Sequence, residues 1–127
     1  MINILNVIGT RPEAIKMFPV VLEMQKYPDK INQIICCTGQ HIEMVDQVLN
    51  LFKIEPDIKL NIMKKNQSLT SVTIDLMEQL GNVITDLKPD WIVAQGDTTS
   101  VMVSSVLAFY NNIKFGHIES GLRTGNI

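Results

Sequence analysis

The sequence lacks most of the features that would announce a function at once. It has only two cysteines, Cys36 and Cys37, and they are adjacent. Successive strand residues face opposite ways, so a disulfide between these two would be strained. Neither has CxxC or metal-site spacing, which leaves two buried, reduced thiols. The two histidines, His41 and His117, form no HxxxH or HExxH pattern, so no metal site is expected. Aromatic residues are sparse, at 6%. No apolar run can cross a bilayer: the longest, 101–110, is too short and contains Ser104 and Ser105. Eleven basic against thirteen acidic residues give a net charge of −2, which offers no bulk attraction for nucleic acid. The first six residues carry no basic segment, and the apolar stretch stops at Gly9-Thr10-Arg11, so a cytoplasmic protein is expected. Walker, GxGxxG and GxSxG patterns are all missing.

What is present is a core. Hydrophobic residues make up 46% of the 127 and charged residues 19%, which suits one folded domain and excludes disorder. Residues 2–8 read as a buried strand ending at Gly9. Thr10 and Glu13 form a capping-box pattern for a helix with Ala14, Ile15, Phe18, Val21 and Leu22 on its apolar face. Pro19 should kink that helix or split it. A strand at 33–38, a helix at 41–52 and a weaker strand at 57–62 follow. Ser68 is a plausible N-cap for a long helix in which Leu69, Val72, Leu76, Leu80, Val83 and Leu87 recur at helical spacing. Lys88-Pro89-Asp90 stops it. A strand at 91–95, a nearly all-apolar and therefore buried helix from Gly96 to Tyr110, and a strand at 113–118 complete the series.

Strand and helix alternate throughout, which predicts an α/β fold with a doubly wound, Rossmann-like parallel sheet. No closing helix follows the last strand, so the expectation is a truncated N-terminal domain, 1–127, of something larger. In such sheets ligands bind beyond the carboxyl ends of the strands, where strand order reverses. For the order 3-2-1-4-5 that point lies between the first and fourth strands. Three polar clusters fall on that edge: Gly9 to Lys16, Gln95 to Ser100, and His117 to Arg123.

Each cluster admits a plain reading beside a functional one. Gly9 lets a ligand approach the backbone, and Arg11 and Lys16 suit a phosphate, or they are solvated cations on a capped helix. Asp97 is an acid/base candidate or simply the N-cap of the helix after Gly96. Glu119 is a second acid/base candidate or a solvated rim carboxylate. Crowded carboxylates, or ones shielded from water, would titrate closer to neutrality. His117 reads as hydrogen-bonded packing, and Gln40 and His41 as a polar helix start.

Four strings, GTRPEAIK at 9–16, TGQH at 38–41, GDTTS at 96–100 and HIESGLRTGN at 117–126, closely resemble the non-hydrolysing UDP-N-acetylglucosamine 2-epimerases of bacteria. The resemblance runs the length of the chain. It implies two Rossmann-like domains facing across a cleft, the GT-B-type architecture, and interconversion of UDP-N-acetylglucosamine and UDP-N-acetylmannosamine. The implied route loses the C2 proton and UDP, passes through 2-acetamidoglucal, and needs no cofactor or metal. By matching position, Asp97 and Glu119 are the catalytic candidates, and Arg11 and Lys16 belong to the substrate site. Gln40 matches the regulatory nucleotide-sugar site of some members. Glu43 stands there in place of a Gln, Asn66 in place of an Arg, and Ser120 where Ala is usual. Family members continue into a further glutamate and a second domain, so the chain alone is expected to be inactive. The expected partners are UDP-N-acetylglucosamine or UDP, and either another copy of the chain or a separate C-terminal half, with neither nucleic acid nor membrane. A non-catalytic nucleotide-sugar-binding module and half of a glycosyltransferase are the competing readings.

Overall fold

The structure, a computed structural model, describes residues 1–39, 42–62, 66–119, 121 and 124–126. Its elements run β1 (Ile2–Ile8), α1 (Arg11–Met24), β2 (Ile31–Cys37), α2 (Ile42–Leu51), β3 (Ile58–Lys59), α3 (Leu69–Leu87), β4 (Trp91–Gln95), α4 (Thr99–Tyr110) and β5 (Lys114–Ile118). The strands form one five-stranded parallel sheet in the order β3-β2-β1-β4-β5. Order therefore reverses between β1 and β4, as the sequence leads one to expect.

Alternation along β1 divides the core in two. Leu5 and Val7 pack with Leu76, Leu80 and Ile84 of α3 and Val101, Val103 and Leu107 of α4. Ile4 and Ile8 pack on the other face with Met17, Phe18 and Val21 of α1 and Val45, Val48 and Leu49 of α2. The cysteines obey the same rule, Cys36 joining the first cluster and Cys37 the second. Among the described residues both are free and buried.

Several expectations need correcting. Helix α1 is one continuous element through Pro19, so the proline does not split it. The carbonyl left without its usual amide partner is that of Ile15, and both residues lie on the exposed face of the helix. The buried apolar residues of α1 are Ala14, Met17, Phe18 and Val21, whereas Ile15 and Leu22 lie outside the core, 46% and 37% exposed. Strand β3 is only two residues long; backbone bonds from Asp57 to Ile35 and from Leu60 to Cys37 flank it, and side chains add to them. Asp57 accepts the Ile35 amide through its carboxylate at 2.8 Å, and Gln79 of α3 both donates to and accepts from the Asn61 backbone. Helix α4 is not buried all round: Met102, Phe109 and Tyr110 project outward, Phe109 being 80% exposed. Its N-cap is Thr98 and not Asp97. Helix α3 does begin after a Ser68 cap that accepts the Ser71 amide at 3.0 Å. Lys88, left-handed and followed by Pro89, ends it.

Candidate active site

The turn from β1 into α1 and the loop from β4 into α4 meet at the carboxyl edge of the sheet. What joins them is Glu13, a residue only 2% exposed. One oxygen, Oε2, accepts the amides of Gly9 at 3.2 Å and Thr10 at 2.5 Å, which is the capping function anticipated from the sequence. The other, Oε1, accepts the hydroxyl of Thr98 at 2.6 Å, reaching the start of α4. Just below, the Thr38 hydroxyl lies 3.1 Å from that of Ser100, so the end of β2 is tied to the same helix turn.

Gly9 belongs to this interlock. A Cβ there would lie 2.5 Å from Ser100 Oγ and 3.1 Å from Glu13 Oε2. The close approach that requires glycine is thus made by α4, whatever a ligand adds. Gly96, with φ of +91°, makes the sharp exit from β4 that only glycine adopts without strain. Its amide donates to Ile118 at 3.2 Å, and its carbonyl is 2.5 Å from His117 Nε2. His117 is a loop fastener, as the packing reading proposed.

On the same edge Lys16 Nζ, one turn into α1, is 2.6 Å from Glu119 Oε2, just past β5. Gln95, the last residue of β4, donates its side-chain amide to that same oxygen. The Lys16 hydrogen bond is the main cause holding the Glu119 carboxyl below the usual carboxylate range. Partial burial opposes it, while the Lys16 charge and the Gln95 bond add to it. Crowding between carboxylates was the expected influence on Glu119, and it is not the one found: a cation dominates and the shift runs the other way. The plain alternative, a merely solvated rim carboxylate, also fails.

The remaining candidates sit around this centre. Asp97 is exposed, between Gly96 and Thr98, and has no hydrogen-bond or ion-pair partner among the described residues. Arg11 is exposed at the first position of α1. The topology sets all of these on one edge, but among the described residues the only direct contact between candidates is that of Lys16 with Glu119. Glu43 is an exposed residue in the first turn of α2, at the neighbouring strand end. Gln40, His41, Ser120 and Arg123 lie outside the described residues. Beside Gly9, a cavity lined by Ile8, Cys37, Gly39, Val45, Asp46 and Lys59 has a volume of about 10 Å³, close to that of one water. Among the described residues, no three His, Cys, Asp or Glu side chains are placed to share a metal ion, and no helix is long and apolar enough to cross a membrane.

Sequence reasoning missed the reach of Glu13 and the roles of Thr98, Ser100 and Gln95. The capping-box pattern flags only local hydrogen bonds. The Glu13–Thr98 bond spans 85 positions and leaves no periodic trace.

Comparison with known proteins gives the edge a family. Residues 22–127 match the model of the family described as UDP-N-acetylglucosamine 2-epimerase. The UDP-N-acetylglucosamine 2-epimerase of Neisseria meningitidis is 53% identical over 98% of the chain, and that of Bacillus subtilis 49% identical over the same share. Among solved structures, the Neisseria meningitidis enzyme bound to UDP-GlcNAc superposes with a TM-score of 0.90, again over 98% of the chain. The Methanocaldococcus jannaschii enzyme in complex with UDP-GlcNAc and UDP does so with a TM-score of 0.89 over 96% of the chain, at 29% identity. The chain spans about one third of the length of each of these relatives: 33% of the two proteins, and 34% and 33% of the two solved chains. On the match of residues 22–127 to its family model, the chain belongs to the UDP-N-acetylglucosamine 2-epimerase family.

Proposed function

We propose that these 127 residues form the N-terminal, Rossmann-like wall of a UDP-N-acetylglucosamine 2-epimerase site within a two-domain, GT-B-type architecture. The observation that carries the reading is the joining of Lys16 and Glu119 at the reversal-point edge of a chain that belongs to this family. Arg11 and Lys16 supply cations for the diphosphate, at the start of a helix whose dipole also favours an anion. Asp97 and Glu119 are the two carboxylates for proton transfer. One accepts the C2 proton while the C1–O bond to UDP breaks. The C2 electron pair becomes the C1=C2 double bond of 2-acetamidoglucal, and UDP leaves with the bonding pair. Return of a proton to the opposite face of C2, with addition of UDP at C1, completes the inversion. Glu119, held ionised by Lys16, is in the form that accepts a proton. Cations already aimed at the leaving group would stabilise the charge that develops on it. Gln40 and Glu43 would border a regulatory nucleotide-sugar site.

The chain's span of one third of its relatives supports a further part of the reading. A site built from one wall binds the nucleotide without excluding water from the intermediate. The isolated chain is therefore expected to bind UDP weakly and not to turn over, with activity requiring a second half or self-association. Proton NMR of the chain with UDP-N-acetylglucosamine in deuterated water tests this, with the Neisseria meningitidis enzyme as control. The expected result is perturbation of the Arg11 and Lys16 signals by UDP without exchange at C2. Exchange at C2 with the manno epimer appearing, lost in Asp97→Asn or Glu119→Gln, would place a complete site in these residues. Neither binding nor exchange while the control turns over would overturn the reading.

A further inference from the structure

We propose that Glu13 is a positioning residue: its buried carboxylate clamps the β1–α1 turn to the start of α4 and thereby sets where Asp97 stands. The inference rests on the reading of Asp97 as an acid/base group. A capping box needs only one carboxylate oxygen, and here Oε2 fulfils that need by itself. The second oxygen is free to act elsewhere, and it takes the Thr98 hydroxyl at 2.6 Å. Thr98 is the N-cap of α4, yet its hydroxyl makes no capping bond to its own helix. A threonine at this position ordinarily accepts an amide of the first turn. This one instead donates to Glu13, so both residues direct a local capping group to a partner far along the chain.

Asp97 stands between two fixed points. On one side Gly96 is fastened to β5 by Ile118 and His117. On the other, Thr98 is fastened to Glu13. Asp97 itself has no partner among the described residues, so its placement comes from its neighbours. Gly96, with its positive φ, is the natural pivot if the Thr98 fastening is lost. Productive proton transfer requires a carboxylate held within hydrogen-bond reach of its proton, so a loosened loop loses rate without losing the cations that bind phosphate.

The test uses the chain with Thr98→Val, which removes the donor and keeps the shape, and Thr98→Ser, which keeps the donor. Amide hydrogen exchange is read by NMR without substrate. A lost hydrogen bond to a charged group should speed exchange at Gly96, whose amide donates to Ile118, by about tenfold or more in Thr98→Val. Core amides of β1 and β4 should change far less, and Thr98→Ser should exchange like wild type. Unchanged exchange at Gly96, an increase of equal size throughout the sheet, or failure of Thr98→Ser to restore it would overturn the clamp. A second arm titrates each protein with UDP-N-acetylglucosamine. The Lys16 signal should shift in all three, and the Asp97 amide should shift in wild type and Thr98→Ser but much less in Thr98→Val. A wild-type Asp97 signal that the nucleotide sugar leaves still would overturn the reading of the site, an outcome seen separately from the exchange result.

Discussion

Lys16 and Glu119 lie 103 positions apart in sequence and 2.6 Å apart in space. Their contact ties the first helix to the end of the last strand, with Gln95 of the intervening strand donating to the same oxygen. The cation proposed for the diphosphate and a carboxylate proposed for the proton are thus each other's partners. Whatever draws Lys16 away also changes how readily Glu119 holds its proton.

Lys16→Met should therefore raise the Glu119 titration toward the ordinary glutamate value of about 4.3. Carbon-13 NMR of the side-chain carboxyl measures it directly. The sign for stability follows. Because the folded-state value is depressed, the pair's contribution is present above the unfolded value. It is lost as pH falls through the folded one. Wild type should be the more stable protein at neutral pH, and the two should converge in acid. The side chains are 51% and 31% exposed, so salt should narrow the difference.

Gly9→Ala should destabilise the chain by about 1–3 kcal/mol, since the new methyl falls within 2.5 Å of Ser100 Oγ. Ser100→Ala should also be destabilising, because it breaks the buried contact with Thr38. In the double variant the worst clash is gone, although the residue 100 Cβ remains at 3.0 Å. The combined loss should then be less than the sum of the two, as urea denaturation of the four proteins would show. Strict additivity would mean that Gly9 and Ser100 do not share this contact.

The apolar stripe of α3 makes a contrast within one helix. Leu80 is fully buried and Leu69, part of the same sequence pattern, is 75% exposed. Leu80→Ala should cost about 2–5 kcal/mol, whereas Leu69→Ala should stay within about 0.5 kcal/mol. Chemical denaturation of both variants checks the difference.

That contrast also shows what the sequence discloses and what it hides. The Ser68 cap and the Lys88-Pro89 stop were legible because each depends on residues close together in the chain, and the reversal point because alternating strands and helices imply a doubly wound sheet. Leu69 misleads because periodicity marks a face of a helix and not the point where that face runs out of neighbours. In α4 eight of twelve residues are apolar and they fall on every side of the helix, so no pattern distinguished buried Val103 from exposed Phe109. The polar edge was legible as three clusters, but its wiring was not. Glu13 with Thr98 and Lys16 with Glu119 are pairings set by the register of β1, β4 and β5, which no local signature encodes.

The two cysteines offer a final prediction, with opposite sign to that for Glu119. Burial, the larger cause in both, pushes each thiol up to about 12. The other thiol's charge adds to this for Cys36, and for Cys37 the Asp46 charge adds while Lys59 partly offsets it. Because the thiolate is the nucleophile, both should resist a thiol reagent at pH 8 in the folded protein and react promptly in urea, by about a thousandfold in rate. The raised values also make stability depend on alkali. Their contribution is fully present below the unfolded value near 9.0 and is lost as pH rises toward about 12, because the unfolded chain releases protons that the folded chain keeps. Other groups titrate in that range, so the discriminating measurement is a comparison. Cys36→Ala with Cys37→Ala should lower stability at pH 7 by leaving small cavities, yet lose less further stability between pH 9 and 11 than wild type does. Equal alkaline slopes in the two proteins would mean that the thiols are already accessible to solvent and are not sealed on either face of β2.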